Sequence, residues 1–307
     1  MSETKLSRRD VAKGAAAGLM VVRPETAFGY QANSKVQFGI IGTGGRGQYV
    51  GGHMARDGRA RLAAICDIYP DRIDQAKTNI PGADSARVYR NYMQLLEQSE
   101  IDVVLITTPV FLHAEHFEAA VRANKHIYCE KPASPDVARL KRIHEAGRKV
   151  APGKVVQWGF QQRFSPEYLR AKTMIDNGDL GVVKTVLSFW ILGGAPPEAF
   201  EPKYSGDEEK VRYWGRWTET SGGPIVEQDC HGVDMLNWFL KARPVKAVGR
   251  GWNRYPVIYG DWTTDHHDIF YTYPGQASGW LISIKHAAGF RDVKEQIYGS
   301  KGMIETA

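Results

Sequence analysis

The sequence predicts an α/β chain in two parts. A doubly wound parallel sheet comes first, then an α+β domain with an open, largely antiparallel sheet. Three observations carry this reading. From Lys35 to about Phe160, short apolar runs alternate with helical stretches, as in parallel strands joined by crossover helices. One of those runs breaks into a glycine-rich turn that opens a helix. Past Gln161, strand-like runs follow with few helices between them, and seven of the eight tryptophans (Trp158 is the exception) lie from Trp190 onward.

The glycine turn organises the first part. Val36, Phe38, Ile40 and Ile41 form an apolar run suited to a strand buried on both faces. Gly42-Thr43-Gly44-Gly45-Arg46-Gly47 then fits G-x-G-x-x-G. In a dinucleotide fold the first glycine makes the turn, the second admits a pyrophosphate, and the third lets helix and strand pack closely. The helix N-terminus offers its free N–H groups to the phosphates. A second apolar run, Leu62 to Ile65, ends at Asp67, 20 residues beyond Gly47. An acid at that distance hydrogen-bonds the adenosine ribose and disfavours a 2′-phosphate. NAD is therefore expected over NADP, with Arg72 the nearby counter-signal. The competing explanation is an ordinary turn with a surface Asp.

The remaining elements follow in order. Pro70 to Thr78 reads as a helix, Arg87 to Tyr89 as a strand and Tyr92 to Gln98 as a helix. Asp102 to Pro109 is the clearest buried strand, with Thr107, Thr108 and Pro109 at its carboxyl end, on the cofactor side. A helix over Phe111–Ala123, a strand over His126–Cys129, a helix over Pro135–Lys149 and a strand over Val155–Phe160 complete this domain. Beyond it, strands are expected at Val182–Trp190, Val245–Arg250, Ile269–Tyr273 and Ser278–His286, with helices at Pro166–Asn177 and Cys230–Leu240. Ala195–Glu209, rich in Pro, Gly and charge, reads as a loop. The divisions are 1–34, 35–160 and 161–307.

With 43% hydrophobic and 24% charged residues, the 307-residue chain has ordinary globular composition. Its net charge of +6 is modest, and no basic stripe interleaved with aromatics suggests nucleic acid. Ser7-Arg8-Arg9-Asp10 and the short apolar run to Val22 have the layout of a twin-arginine export signal, or of a basic Ala-rich helix. The first reading expects a periplasmic or exported protein, the second a cytoplasmic one. No segment is long and apolar enough to span a membrane. The three cysteines, Cys66, Cys129 and Cys230, are widely spaced and form no disulfide framework.

Two further stretches carry chemistry. Glu130-Lys131-Pro132 follows a strand, so Lys131 either enters the crevice beside a nicotinamide ring or sits on a surface turn. In Gly222-Gly223-Pro224-Ile225-Val226-Glu227-Gln228-Asp229-Cys230-His231-Gly232-Val233-Asp234, a single helix would place Glu227, His231 and Asp234 on one face. His231 then takes a hydroxyl proton while the acids orient its ring, or it is a satisfied core histidine. Asp265-His266-His267-Asp268 is not a metal site on this reading, because adjacent strand residues point to opposite faces.

Together these motifs resemble the Gfo/Idh/MocA oxidoreductase family, from about Lys35 to the end of the chain. Thr107-Thr108-Pro109 with His113 is similar to the family's segment after the fourth strand. The resemblance implies an NAD(P)-binding Rossmann domain followed by a domain whose open sheet carries substrate contacts and oligomer interfaces. It implies acid–base roles for Lys131 and His231, with Glu227 beside them, and substrate contacts from Asp229 and Asp234. Cofactor contacts are expected from Gly42–Gly47, Asp67, Thr108, Pro109, His113, Glu130 and Lys131. The family's usual Asp four residues before the histidine is Glu227 here, and the glycine between them is Asp229. Family members also continue past a turn and strand like Gly299–Glu305, which implies an early end to this chain.

The expected activity is hydride transfer between NAD and a hydroxyl of a sugar, glycoside or polyol. Two alternatives stand beside it. One is glycoside cleavage through transient oxidation and elimination, and the other a non-catalytic cofactor-binding sensor or partner subunit. A homo-oligomer is expected.

Overall fold

The computed structural model describes residues 35–193, 201–253, 260–261, 264–287 and 289–306. The twin-arginine stretch lies outside these residues, as does most of the first half of the expected Ala195–Glu209 loop.

The first domain runs β1 (Val36–Ile41), α1 (Gly45–Arg56), β2 (Ala60–Cys66), α2 (Pro70–Asn79), β3 (Arg87–Tyr89), α3 (Tyr92–Leu96) and β4 (Val103–Ile106). It continues through α4 (His113–Arg122), β5 (His126–Cys129), α5 (Val137–Gly147) and β6 (Val156–Trp158). All its strand pairs are parallel, in the order β3-β2-β1-β4-β5-β6. Because β1 lies between β2 and β4, the winding reverses there, and a crevice opens at the strands' carboxyl ends. The strands are apolar on both faces because helices cover both. Phe38, Ile40, Ile65 and Leu105 pack on one side, and Ile41, Val104, Ile106, Ile127 and Phe117 on the other. Polar caps set the helix starts: the Asp136 carboxylate accepts from Arg139 N at 2.8 Å, and the Asn91 side chain accepts from Met93 N at 2.9 Å.

The second domain contains α6 (Pro166–Asp176), β7 (Val183–Ile191), α7 (Gly206–Arg212), α8 (Thr218–Ser221), α9 (Gly223–Glu227) and α10 (Cys230–Leu240). The strands β8 (Lys246–Trp252), β9 (His266–Thr272), β10 (Ser278–Ile284), β11 (Asp292–Gly299) and β12 (Met303–Glu305) follow. Its sheet has the order β12-β11-β7-β10-β9-β8; β7 and β10 are parallel and every other pair is antiparallel. One sheet face is covered by α6 and α10, which bury Tyr168, Ile175, Met235, Leu236 and Phe239 against Val186, Leu281 and Ile297.

Two expectations change. Part of the expected loop is helical, since α7 has Asp207, Glu208 and Glu209 in its first turn and Lys210 and Arg212 in its last, matching the helix dipole. The stretch from Gly223 to Leu240 is not one helix. It breaks at Gln228, so Glu227 ends α9 while His231 and Asp234 belong to α10.

Glu295 is fully buried in this domain. Its carboxyl accepts from Ser188 Oγ at 3.0 Å and Thr306 Oγ1 at 3.3 Å. Burial pushes its pKa from 4.5 up to about 7, more than these hydrogen bonds pull it down. Between those values the unfolded chain releases a proton that the folded chain keeps. Stability contributed here therefore falls as pH rises through that window and levels off above it. Glu295→Gln should flatten this dependence, gaining a few degrees of melting temperature at pH 8 relative to pH 5 when each is referred to wild type.

Candidate active site

The crevice takes its shape from backbone geometry. Gly42 has φ of +91°, which a side chain would strain, and its N–H donates to Cys66 O at 2.8 Å. A Cβ on Gly47 would lie 2.1 Å from Gly42 O, so only glycine lets α1 start this close to β1. Gly44, by contrast, has nothing within 4 Å of where a Cβ would be. It borders open space, as a backbone approached by a pyrophosphate must.

The cleft at this point has a volume of about 350 Å³ and is lined by Gly42, Gly44, Gly45, Asp67, Thr108 and Pro109, among others. Asp67 Oδ2 accepts from Thr43 N at 2.8 Å, and Oδ1 from Tyr69 N at 3.0 Å. The acid thus fixes the glycine loop while still bordering the cleft. An open cradle, helix N–H groups and an acid at the end of β2 fit NAD.

Beside the glycine loop, at the carboxyl end of β5, charged groups converge. Arg46 Nε lies 2.9 Å from Glu130 Oε1, tying the glycine loop to the turn after β5. Glu130 is buried, and Gly159 makes room for it: a Cβ there would come within 2.7 Å of the carboxylate. The next residue, Lys131, donates from Nζ to Glu227 Oε1 and to Glu227 O, both at 2.8 Å. Burial raises the Glu227 pKa, with the nearby Lys131 ammonium opposing it.

His231 joins them from α10. Its ring lies flat against Trp190, with centroids 4.6 Å apart and planes 10° apart, and meets Phe160 edge-on. Burial, with Lys131 and Arg46 adding repulsion, lowers its pKa to about 3, so the ring is neutral at physiological pH. Its Nδ1 is buried with no hydrogen-bond partner among the described residues. Gly232 sets this position, because a Cβ there would sit 2.5 Å from Ser188 Oγ and 2.6 Å from Leu281. Without one, α10 settles directly on β7 and β10.

The acids near His231 do not orient its ring, contrary to the single-helix reading, because each has another partner. Glu227 holds Lys131. Asp234 binds Arg163 through two hydrogen bonds of 2.7 and 2.8 Å. Asp229 is fully buried, accepting from Ser283 Oγ at 2.5 Å, with its other oxygen 2.6 Å from His267 Nδ1. Stacking on Trp190 orients the imidazole instead.

His113 does not line the cleft. It is fully buried, with Nδ1 2.9 Å from Pro132 O and Nε2 2.9 Å from Thr108 O. It braces the ends of β4 and β5, and burial lowers its pKa to about 4. A neutral ring donates to only one of those carbonyls. His266 and His267 diverge as expected, the first 2.5 Å from Asp265 and the second on Asp229. Among the described residues no group of three or more His, Cys, Asp or Glu side chains could hold a metal ion.

Sequence reasoning missed Trp190, Arg163 and Lys285. Lys285 follows β10, and burial together with the Arg216 charge lowers its pKa to about 8, against the opposing pull of Glu227, Asp265 and Asp229. A lone lysine after a strand carries no signal of this. Trp190 stood out only as the first of the clustered tryptophans.

Both domains resemble known proteins. Residues 36–160 match the oxidoreductase family model with an NAD-binding Rossmann fold, and residues 168–305 match the GFO/IDH/MocA C-terminal domain. The chain is 29% identical over 272 residues to inositol 2-dehydrogenase of Rhizobium meliloti, covering 88% of this chain and 74% of that protein. It is 36% identical over 219 residues to inositol 2-dehydrogenase 3 of Saccharopolyspora erythraea, covering 69% of this chain and 56% of that one. Among solved structures, scyllo-inositol dehydrogenase from Lactobacillus casei with bound NAD(H) and scyllo-inositol aligns with a TM-score of 0.74 at 25% identity, covering 89% of this chain and 76% of that chain. The two family models follow one another across both domains, and the chain belongs to the GFO/IDH/MocA oxidoreductase family.

Proposed function

We propose that this protein is an NAD-dependent oxidoreductase acting on a CH–OH group of a polyol or sugar. The observation that carries this is that Lys131, held by Glu227, and a neutral His231 near enough to feel its charge lie beside the glycine loop, which Arg46 ties to Glu130. Inositol dehydrogenases among its relatives support the substrate class. NAD in the crevice would supply the hydride acceptor.

The protein's own groups manage the hydroxyl. Lys131 spends two N–H donors on Glu227 and keeps a third for the substrate oxygen. As the carbinol C–H bond gives up its hydride, the O–H proton passes to the neutral imidazole of His231 and the C=O bond forms. The Lys131 ammonium stabilises the negative charge growing on oxygen. Trp190 excludes water and holds the imidazole plane.

The outer face of the second sheet supports self-association. Val248, Phe270 and Trp280 lie in cross-strand register there, each at least 40% exposed. Rows of exposed apolar side chains on an open sheet mark an interaction surface, and a second copy fits the expected homo-oligomer. Arg8-Arg9 and the apolar run after them favour export by the twin-arginine route. Cell fractionation of an Arg8→Lys/Arg9→Lys variant tests that.

His231→Asn should lower kcat by roughly 10²–10⁴-fold while the NAD dissociation constant stays within about threefold, as steady-state kinetics on an inositol and sugar panel with NAD titration would show. Near-normal turnover would refute the assignment. The acid limb of kcat/KM should lie well below pH 6, because His231 loses its proton-accepting form only near its depressed pKa. Trp190→Leu should move that limb up toward 6.5 by exposing the ring. In light scattering, Trp280→Arg should reduce the assembled mass with NAD binding unchanged; an unaltered mass would exclude this face as the interface.

A further inference from the structure

The dinucleotide cleft has a wall that the first domain does not supply. Val211 and Arg212 of α7 and Trp214 just after it line the cleft opposite Gly42, Gly44 and Asp67. This is the adenosine end, since Asp67 closes β2 and α2 begins beside it. Arg212 fastens the wall. Its guanidinium donates to Asp71, in the first turn of α2, through Nη1 at 2.9 Å and Nη2 at 2.7 Å, and to Glu208 through Nε at 2.7 Å. It is also sandwiched between Tyr69, 3.8 Å from the ring centroid, and Tyr204, at 4.3 Å. The Arg212 side chain is only 6% exposed.

We propose that α7 and the Trp214 turn are the outer wall of the adenosine subsite, and that the Arg212–Asp71 contact is a latch setting how fast NAD leaves. The proposal rests on the NAD-dependent reading above. Arg212 is a positioning residue, not a phosphate ligand. Two carboxylates already neutralise it, so its contribution is to hold the second domain's segment over the cofactor. A bidentate arginine–carboxylate pair fixes both distance and orientation. A cofactor enclosed between the domains is released only when that contact opens, which appears in the dissociation rate. Retention would also let one bound cofactor serve an oxidation and a later reduction.

The test measures release of prebound NADH from the full chain by stopped-flow fluorescence, chased with excess NAD, in wild type, Arg212→Gln, Asp71→Asn and the double variant. Binding of reduced nicotinamide mononucleotide, which lacks the adenosine half, is measured alongside. Each single variant should release NADH at least about tenfold faster. The double variant should be little faster than either, since both remove the same contact. Affinity for the mononucleotide should stay within twofold, which general loosening of the fold would not allow. Asp71 is the more exposed partner, so Asp71→Asn answers the question even if Arg212→Gln folds poorly. Unchanged NADH release in Asp71→Asn, or equal weakening of both ligands, would overturn the latch. A wild-type protein that binds neither nucleotide would remove the NAD reading and the latch together.

Discussion

The ion pair between Lys131 and Glu227 is the contact on which the site depends. Its partners are 96 residues apart and come from different domains, yet Nζ reaches both a carboxylate oxygen and a backbone carbonyl of one residue. Side-chain exposure of 16% and 21% makes it a largely buried pair. Such pairs seldom add net stability, because desolvation offsets attraction, but removing one partner costs about 3–5 kcal/mol. Burial still outweighs Lys131 in setting the Glu227 pKa, so this geometry stabilises the fold little for its cost. What it secures is placement: the lysine's ammonium at the end of α9, near enough to α10 for its charge to act on His231.

Local pattern made most of the first domain legible. Its strands are short, apolar and separated by good helix starts, so Arg87–Tyr89 and His126–Cys129 fall where the pattern puts them. The strand expected over Asp102–Pro109 ends three residues earlier, at Ile106. The glycine spacing and Asp67 located the cleft because those positions answer to backbone geometry that only certain residues permit. The second domain was less readable. β11 carries Asp292, Lys294, Glu295 and Gln296, a polar content that hid it as a strand. The parallel pairing of β7 with β10 depends on contacts between residues 183–191 and 278–284, which no local signal records.

The site was legible in its members but not in their connections. Lys131, Glu227 and His231 do meet, but the helical spacing of Glu227, His231 and Asp234 suggested three groups sharing one task. A break at Gln228 and the proximity of Lys131, Arg163, Ser283 and His267 sent Glu227, Asp234 and Asp229 to different partners. Burial explains the pattern. A largely buried acid takes the donor the fold supplies, and the fold supplies lysine, arginine, serine and histidine from distant elements. The imidazole, left without an acid, is positioned by an aromatic plane instead.

Two residues with no side chain govern the placement of those that act. Gly159 leaves space for the Glu130 carboxylate, and Gly232 lets α10 rest on Ser188 and Leu281. Neither position offers a proton, a charge or a hydrogen-bonding side chain, so a search for reactive groups passes over both. A single methyl group at either one would nonetheless push on Glu130 or lift the segment bearing His231. When natural variants of this chain are sorted, an alanine at 159 or 232 belongs with changes to the reactive centre, although by chemical class it would count as silent.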